Sequence, residues 1–134
     1  MTASLVVART PSETFRACVF GTNRLCEALG DAVKSRSLRA VELAPLAASR
    51  WLETRAAGGA LLETLSWKSA YAASVRSVVD QLAHELQVLL NSARLAYDGS
   101  IYTRTFDIQA LRVMTWSTGW HATRATAARR DSSR

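Results

Sequence analysis

From Trp67 to Ala93, apolar residues recur at Trp67, Tyr71, Val75, Val78, Val79, Leu82, Leu86, Leu89, Leu90 and Ala93. The intervals of three and four are those of one helix face, and no strand carries that period. Arg76, Asp80, His84 and Gln87 fall on the opposite face. A helix starting at Thr64 or Ser66 and ending at Ala96 spans over ~40 Å at about 1.5 Å per residue. A chain of 134 residues has room for one domain. A rod of that length therefore dictates an elongated subunit, in which the remaining elements lie alongside it. Such a subunit is expected to bury its flanks against copies of itself.

The neighbours of this rod carry their own signals. Thr10-Pro11-Ser12-Glu13 places threonine at an N-cap, proline at the first helical position and glutamate at the third. These residues make a capping box with a pre-set first turn. Phe15, Cys18, Val19, Thr22, Leu25, Cys26 and Leu29 continue one face, with Gly21 as an expected break and Gly30 as an expected stop. The residues before Thr10 are expected to form a short extended arm. A second helix is predicted over Ser37 to Arg55, after a polar connection around Asp31 to Arg36, with Leu38, Val41, Ala48, Trp51 and Leu52 buried. Pro45 should kink it or mark its start, and Gly58-Gly59 should end it. After a turn at Asp98-Gly99, a short fourth helix is predicted from Thr105 to about Trp116, carrying Phe106, Ala110, Val113 and Met114 on one side. Ser100 to Thr103 is the one stretch besides the arm with any strand alternation. Residues 121–134 contain four arginines, one aspartate and almost no large apolar side chain, the composition of a flexible basic tail. The class is all-α: an elongated, antiparallel, up-and-down bundle of three to four helices. It forms one domain over residues 1–120, followed by the tail.

Composition narrows the function. Apolar residues make up 49% of the chain and charged residues 21%, enough for a real core and too apolar for intrinsic disorder. No apolar run approaches bilayer length, and MTASLVVARTPSET has too short an apolar stretch for a secretory signal. Two cysteines exclude a disulfide scaffold and leave a reducing compartment as the expectation. The net charge is +6, and every cation except Lys34 and Lys68 is arginine. Guanidinium forks bind phosphate and carboxylate in bidentate fashion, which favours a polyanionic partner. GC-rich coding, to which 23 alanines also point, gives the same composition. Half of the net charge lies in residues 121–134, four arginines less one aspartate, so the body carries only +3.

No catalytic constellation emerges. The histidines are His84, on the polar face of the long helix, and His121, at the start of the tail, so no nucleophile has an obvious base. Cys18 and Cys26 are eight positions apart, about 12 Å along a helix, too far for a bridge, and read as core residues. No cysteine or histidine completes a zinc set, and Gly58-Gly59 lacks the spacing and lysine of a phosphate loop. Neither an enzymatic activity, a cofactor, a metal nor a small-molecule substrate is expected. The basic residues form a better pattern. Lys34, Arg36 and Arg39 cluster at the start of the second helix, and Arg50 and Arg55 lie near its end. Lys68 and Arg76 interleave with Trp67 and Tyr71. Cations among aromatics suit single-stranded nucleic acid, although Trp67 and Tyr71 also fit a core with solvated cations around it.

Four stretches together carry a family likeness. TPSETF at Thr10 to Phe15 is similar to the Thr-Pro-Ser-x-Phe start of tobamovirus coats. Leu25-Cys26 through Ala28-Leu29-Gly30 resembles the end of that family's first slewed helix. Val75-Arg76-Ser77 through Glu85-Leu86 resembles its long radial helix. Tyr102-Thr103-Arg104-Thr105-Phe106-Asp107 and Trp116 resemble its closing Tyr-x-Arg-x-x-Phe-Glu and Trp. In this order they cover most of residues 10 to 116, and the chain resembles the coat proteins of rod-shaped helical plant RNA viruses, the tobacco mosaic virus group. Between Trp51 and Arg76 it lacks the further radial helix and inner loop of those coats, together with their inner-radius arginines. The Arg-Phe-Pro segment also has no counterpart, and no aspartate matches the salt-bridge partner of the radial-helix arginine.

The resemblance implies a shortened coat that polymerises and holds single-stranded RNA in a basic groove between subunits, in a virion assembled in host cytoplasm. Its partners would be itself and single-stranded RNA, with no membrane. Arg39, Arg36 and Arg76 carry over as RNA-binding positions; Arg55 and Lys68 join them on position and charge alone. Carboxylates at subunit contacts would make assembly depend on pH, with Glu42, Glu53, Glu63 and Asp80 equally open. Two other classes remain open: a cellular all-α nucleic-acid-binding or adaptor module without polymerisation, and a peripheral membrane protein or partner-binding helical protein acting through its basic tail.

Overall fold

A computed structural model describes the backbone of residues 9–132 and the side chains of residues 9–117. Four helices follow one another: α1 (Pro11–Lys34), α2 (Arg39–Leu62), α3 (Ala70–Ala96) and α4 (Thr103–Ser132). No strand occurs among the described residues, and the chain is an all-α bundle. α2 packs against all three other helices, and α3 also packs against α1 and α4. α1 and α4 do not pack on each other among the described residues, so the order around the bundle is α1, α2, α4, α3. Two tyrosines mark its ends. The Tyr71 hydroxyl meets Ser12 beside the start of α1, and the Tyr97 hydroxyl donates to the Ser37 carbonyl where the α1–α2 and α3–α4 turns meet.

The N-terminal signal of α1 is realised in full. The Thr10 hydroxyl oxygen accepts the Glu13 N–H at 3.1 Å, and the Glu13 carboxylate accepts the Thr10 N–H at 3.4 Å. The Thr10 hydroxyl also donates to the Glu13 carboxylate at 2.9 Å, and this bond, with that from the Thr10 N–H, favours the ionised form and holds the Glu13 carboxyl below its ordinary value. A carboxyl so depressed supports the cap above the ordinary carboxylate range, and that support is lost as pH falls through its lowered value. α3 is capped by Ser69, whose side chain accepts the Ala72 N–H at 3.1 Å. The long helix is thus shorter at its start than its apolar period predicts. Trp67 and Lys68 lie in the connection before it.

α1 and α2 are longer than predicted, for one physical reason. α1 runs through Gly21 and Gly30, and α2 through Pro45, Gly58 and Gly59. An interior proline costs about 3 kcal/mol and a glycine about 1 kcal/mol, and packing offsets both. Ala40, Ala44, Ala47 and Ala48 are fully buried on either side of Pro45. At Gly58 an added Cβ would lie 3.1 Å from both Phe15 and Val79, so α1 and α3 meet α2 over bare backbone. The buried face of α2 also includes Trp51, while Leu38, expected inside, is exposed. α4 continues past Trp116 to Ser132 instead of stopping there, so the backbone of the expected tail is helical to that point. Ser100 to Tyr102, despite the alternation, is turn, and Thr103 opens α4. The expected N-terminal arm, the side chains of the tail arginines and the last two residues lie outside the described residues.

Trp51 occupies the centre. It is fully buried, and its indole N–H donates to the Val79 carbonyl at 3.3 Å. Phe106, Val113, Leu29, Leu86 and Leu90 surround the same core. Thr22 and Thr54 form a buried hydroxyl pair at 2.8 Å across α1 and α2, with Thr54 also donating to the Arg50 carbonyl. Gly58→Val places two methyls where one Cβ is already tight, and should cost about 1–3 kcal/mol. Gly58→Ala should be milder, since about 1 kcal/mol of helix propensity offsets the crowding. Urea denaturation of both variants checks that order, and a Gly58→Val variant as stable as wild type would refute the close approach.

Candidate nucleic-acid interface

The end of the bundle marked by Tyr97 is built from two welded turns. α1 closes with the Ser37 N–H donating to the Ala32 carbonyl at 2.9 Å and the Arg36 N–H to the Val33 carbonyl at 3.1 Å. This paired pattern puts the residue after the C-cap in the left-handed region, where glycine is the usual occupant. Here it is Arg36, with φ of +52°. An L-residue there costs about 1–2 kcal/mol. Ser37 then starts α2 by accepting the Arg39 N–H at 3.1 Å on its side-chain oxygen.

The second turn is anchored by Tyr97. Its ring packs on Phe106 at 5.2 Å between centroids, and its hydroxyl donates to the Ser37 carbonyl at 2.5 Å. Its own carbonyl accepts the hydroxyls of Ser100 and Thr103 at 2.6 and 2.7 Å. Gly99, with φ of +79°, supplies the reversal expected of Asp98-Gly99. Burial pushes the Tyr97 phenol up, and the nearby Arg36 guanidinium pulls it partly back.

Cations gather on this end. Lys34, Arg36 and Arg39 are exposed, with no acidic residue between them in sequence, and Arg104 is exposed on the first turn of α4. Arg94 is neutralised locally by Asp107 at 3.4 Å. The arrangement suits phosphate oxygens, which take charge without reading sequence. Arg104 joins the set because α4 starts at this end and packs on α2, with the Tyr97–Ser37 contact tying the two turns, and no spacing in the sequence reports that contact.

The five sequence candidates are not brought together. Arg36 and Arg39 share the welded end, whereas Arg55 lies sixteen residues further along α2, about 24 Å away along the helix axis. The Arg55 guanidinium sits 5.1 Å from the Trp116 ring centre, and its Nε donates to the Trp116 carbonyl at 3.1 Å. Burial lowers its pKa. Arg76 stacks at 4.1 Å on Trp67 and donates to the Trp67 carbonyl at 3.0 Å. Lys68 is exposed beside that stack. Arg55 thus ties α4 to α2, and Arg76 ties the α2–α3 connection to α3. The polar face predicted for α3 is also partly interior, since Gln87 donates to the Ala110 carbonyl of α4 at 2.9 Å while His84 is exposed.

One open cleft of about 640 Å³ lies between α1 and α3, lined by Phe20, Asn23, Arg24, Cys26, Glu27 and Glu85. Burial, helped by Glu85, pushes the Cys26 thiol up to about 11, and burial also raises Cys18. Both therefore stay protonated at neutral pH, which suits packing rather than nucleophilic attack. No group of three metal-ligating side chains occurs among the described residues. Comparison of the chain with protein-family models, with curated proteins and with solved structures finds no match.

An arginine held where glycine would be cheaper yields a prediction of two opposite signs. Arg36→Gly should raise stability by about 1 kcal/mol in urea titration. If this end holds single-stranded RNA, the same change should weaken that binding and reduce the salt slope by about one phosphate contact. Unchanged RNA affinity in that variant would remove Arg36 from the interface.

Proposed function

We propose that this chain is a structural capsid protein that assembles into a helical rod and packages single-stranded RNA in a basic groove between subunits. The observation that carries this reading is the colinear set of four coat-like stretches, joined to a bundle of long helices with cations concentrated at one end. TPSETF forms the cap and first turn of α1, Arg39 opens α2, and the Val75–Leu86 stretch lies inside α3. The Tyr102–Asp107 stretch begins α4, beside the welded turns. In this reading Lys34, Arg36, Arg39 and Arg104 meet the RNA phosphates, and each subunit supplies only a few contacts. Side-by-side contacts that do not close into a ring generate the rod. Arg55 and Arg76 support the subunit from within, and Lys68 contributes charge at the opposite end.

The cellular alternative, a monomeric or dimeric nucleic-acid-binding module, shares the basic end and lacks polymerisation. Negative-stain microscopy of the purified protein, with and without single-stranded RNA, separates the two. Rods or stacked discs are expected, and their absence over a range of salt and pH would sink the capsid reading. Arg36→Ala with Arg39→Ala should abolish nuclease protection of the RNA while leaving the unfolding free energy from urea titration within about 1 kcal/mol of wild type. Protection that survives this double change would move the groove elsewhere.

A further inference from the structure

We propose that the cleft between α1 and α3 is a guanidinium site, and that its occupant is the arginine-rich C-terminal segment of a second copy of this chain. This contact goes beyond the capsid reading and does not depend on it.

α1 and α3 run side by side in the same direction, held in register by the Ser12–Tyr71 contact and by Leu89 seated on Gly30. That register sets Glu85 level with Cys26, across the cleft from Glu27, and all three line it. Both carboxylates are exposed, and neither has an ion-pair partner among the described residues. Phe20, 63% exposed, adds a ring whose face already takes a guanidinium, that of Arg24, 5.6 Å from its centre. At the floor is the Cys26 sulfur, in a side chain only 6% exposed and without a hydrogen-bond partner among the described residues. Two glutamates against Arg24 leave the lining one negative charge in excess. An entering guanidinium balances that charge, with its N–H fork on the carboxylates and its stem along Phe20.

The other carboxylates form no such pair. Glu53 and Asp107 are held in ion pairs by Arg50 and Arg94, and Glu13 is held in the capping box. Glu42, Glu63 and Asp98 stand singly on α2, after it and in the α3–α4 turn.

The occupant follows from charge and bulk. Residues 121–134 hold four arginines against Asp131, and apart from His121 every other residue there is Ala, Thr or Ser. Small residues between the arginines suit a cleft of about 640 Å³, whereas the end of a four-helix bundle is too broad to enter it. The segment has to come from another copy. In the register set by Gln87–Ala110 and Arg94–Asp107, Glu85 is level with Arg112 to Trp116 of α4. Residues 121–132 of the same chain therefore run past the cleft, and on the far side of α3, since α4 does not pack on α1 among the described residues. A contact of cleft to C-terminal segment is heterologous and can repeat from copy to copy.

Sedimentation velocity of the RNA-free full chain at low salt should show association that fades as salt screens the pairs. Glu27→Lys with Glu85→Lys should weaken it at least about tenfold, and so should Arg124→Glu with Arg129→Glu and Arg130→Glu. An equimolar mixture of these two variants should associate again, because each then meets a partner of opposite charge. Restoration also shows that both variants fold. A monomeric wild type, unchanged association in either variant, or a mixture that stays dissociated overturns the proposal. Arg36→Glu with Arg39→Glu should leave association intact, and its loss there would overturn the choice of occupant. Rods seen by microscopy alongside a monomeric RNA-free wild type would reject the cleft contact and leave the capsid reading standing.

Discussion

The fold depends on how closely three helices approach α2. Its buried face is Ala40, Leu43, Ala44, Ala47 and Ala48 in the first half and Thr54, Gly58 and Leu61 in the second, with Trp51 between them. Small residues bring the neighbouring backbones close, and the Trp51 ring, with Leu43 and Leu61, fills the volume that remains. That division explains why Trp51 is fully buried although tryptophan rarely is. It also explains how α2 tolerates Pro45. The carbonyl of Val41 has no proline N–H to accept, but the helix around it is held by contacts on three sides. Truncating Trp51 would cost about 3–5 kcal/mol, more than any one hydrogen bond in the bundle supplies.

The same constraint separates what the sequence discloses from what it conceals. The Thr10 capping box is legible because all of its atoms lie within four residues. The reversal at Asp98-Gly99 is legible because only glycine takes its φ cheaply. Gly21, Gly30, Gly58 and Gly59 mislead, because a glycine that ends a helix and one that admits a neighbouring side chain look alike in one dimension. At Gly21 the neighbour is Arg50, and at Gly30 it is Leu89. The period of α3 also overruns its start: Trp67 keeps the spacing but lies before the Ser69 cap, stacked under Arg76.

Candidate site residues divide along the same line. Arg36 and Arg39 are neighbours in sequence, so their grouping needs no fold. Arg104 enters the group because α4 starts beside α2, where Tyr97 reaches the Ser37 carbonyl sixty residues away. Arg55 and Arg76 have the right charge and aromatic neighbours, and the structure puts those neighbours to a different use. A guanidinium lying on an indole, with its N–H groups on a carbonyl, has already committed part of its binding capacity. Interleaved cations and aromatics in a sequence therefore describe two arrangements, one open to bases and one closed on itself, and only the fold distinguishes them.

What remains at the welded end is a small cationic set on a rigid support. Four exposed cations at this end of each chain would give weak, salt-sensitive affinity for a polyanion, since each phosphate contact is an ion exchange with condensed counterions. In the proposed rod, strength would come from repetition. When copies are fixed relative to one another, the second contact on the same strand is made at the effective concentration set by their spacing, and affinities multiply. Rigidity is then as important as charge, because a mobile arginine would lose entropy at every repeat. The turn gives up stability to hold Arg36 in a left-handed backbone. Tyr97, Ser100 and Thr103 lock the adjoining turn with three hydroxyl hydrogen bonds. A module that bound RNA as a single copy would gain little from that strain. A subunit that presents the same few cations many times along one strand recovers the loss at each repeat.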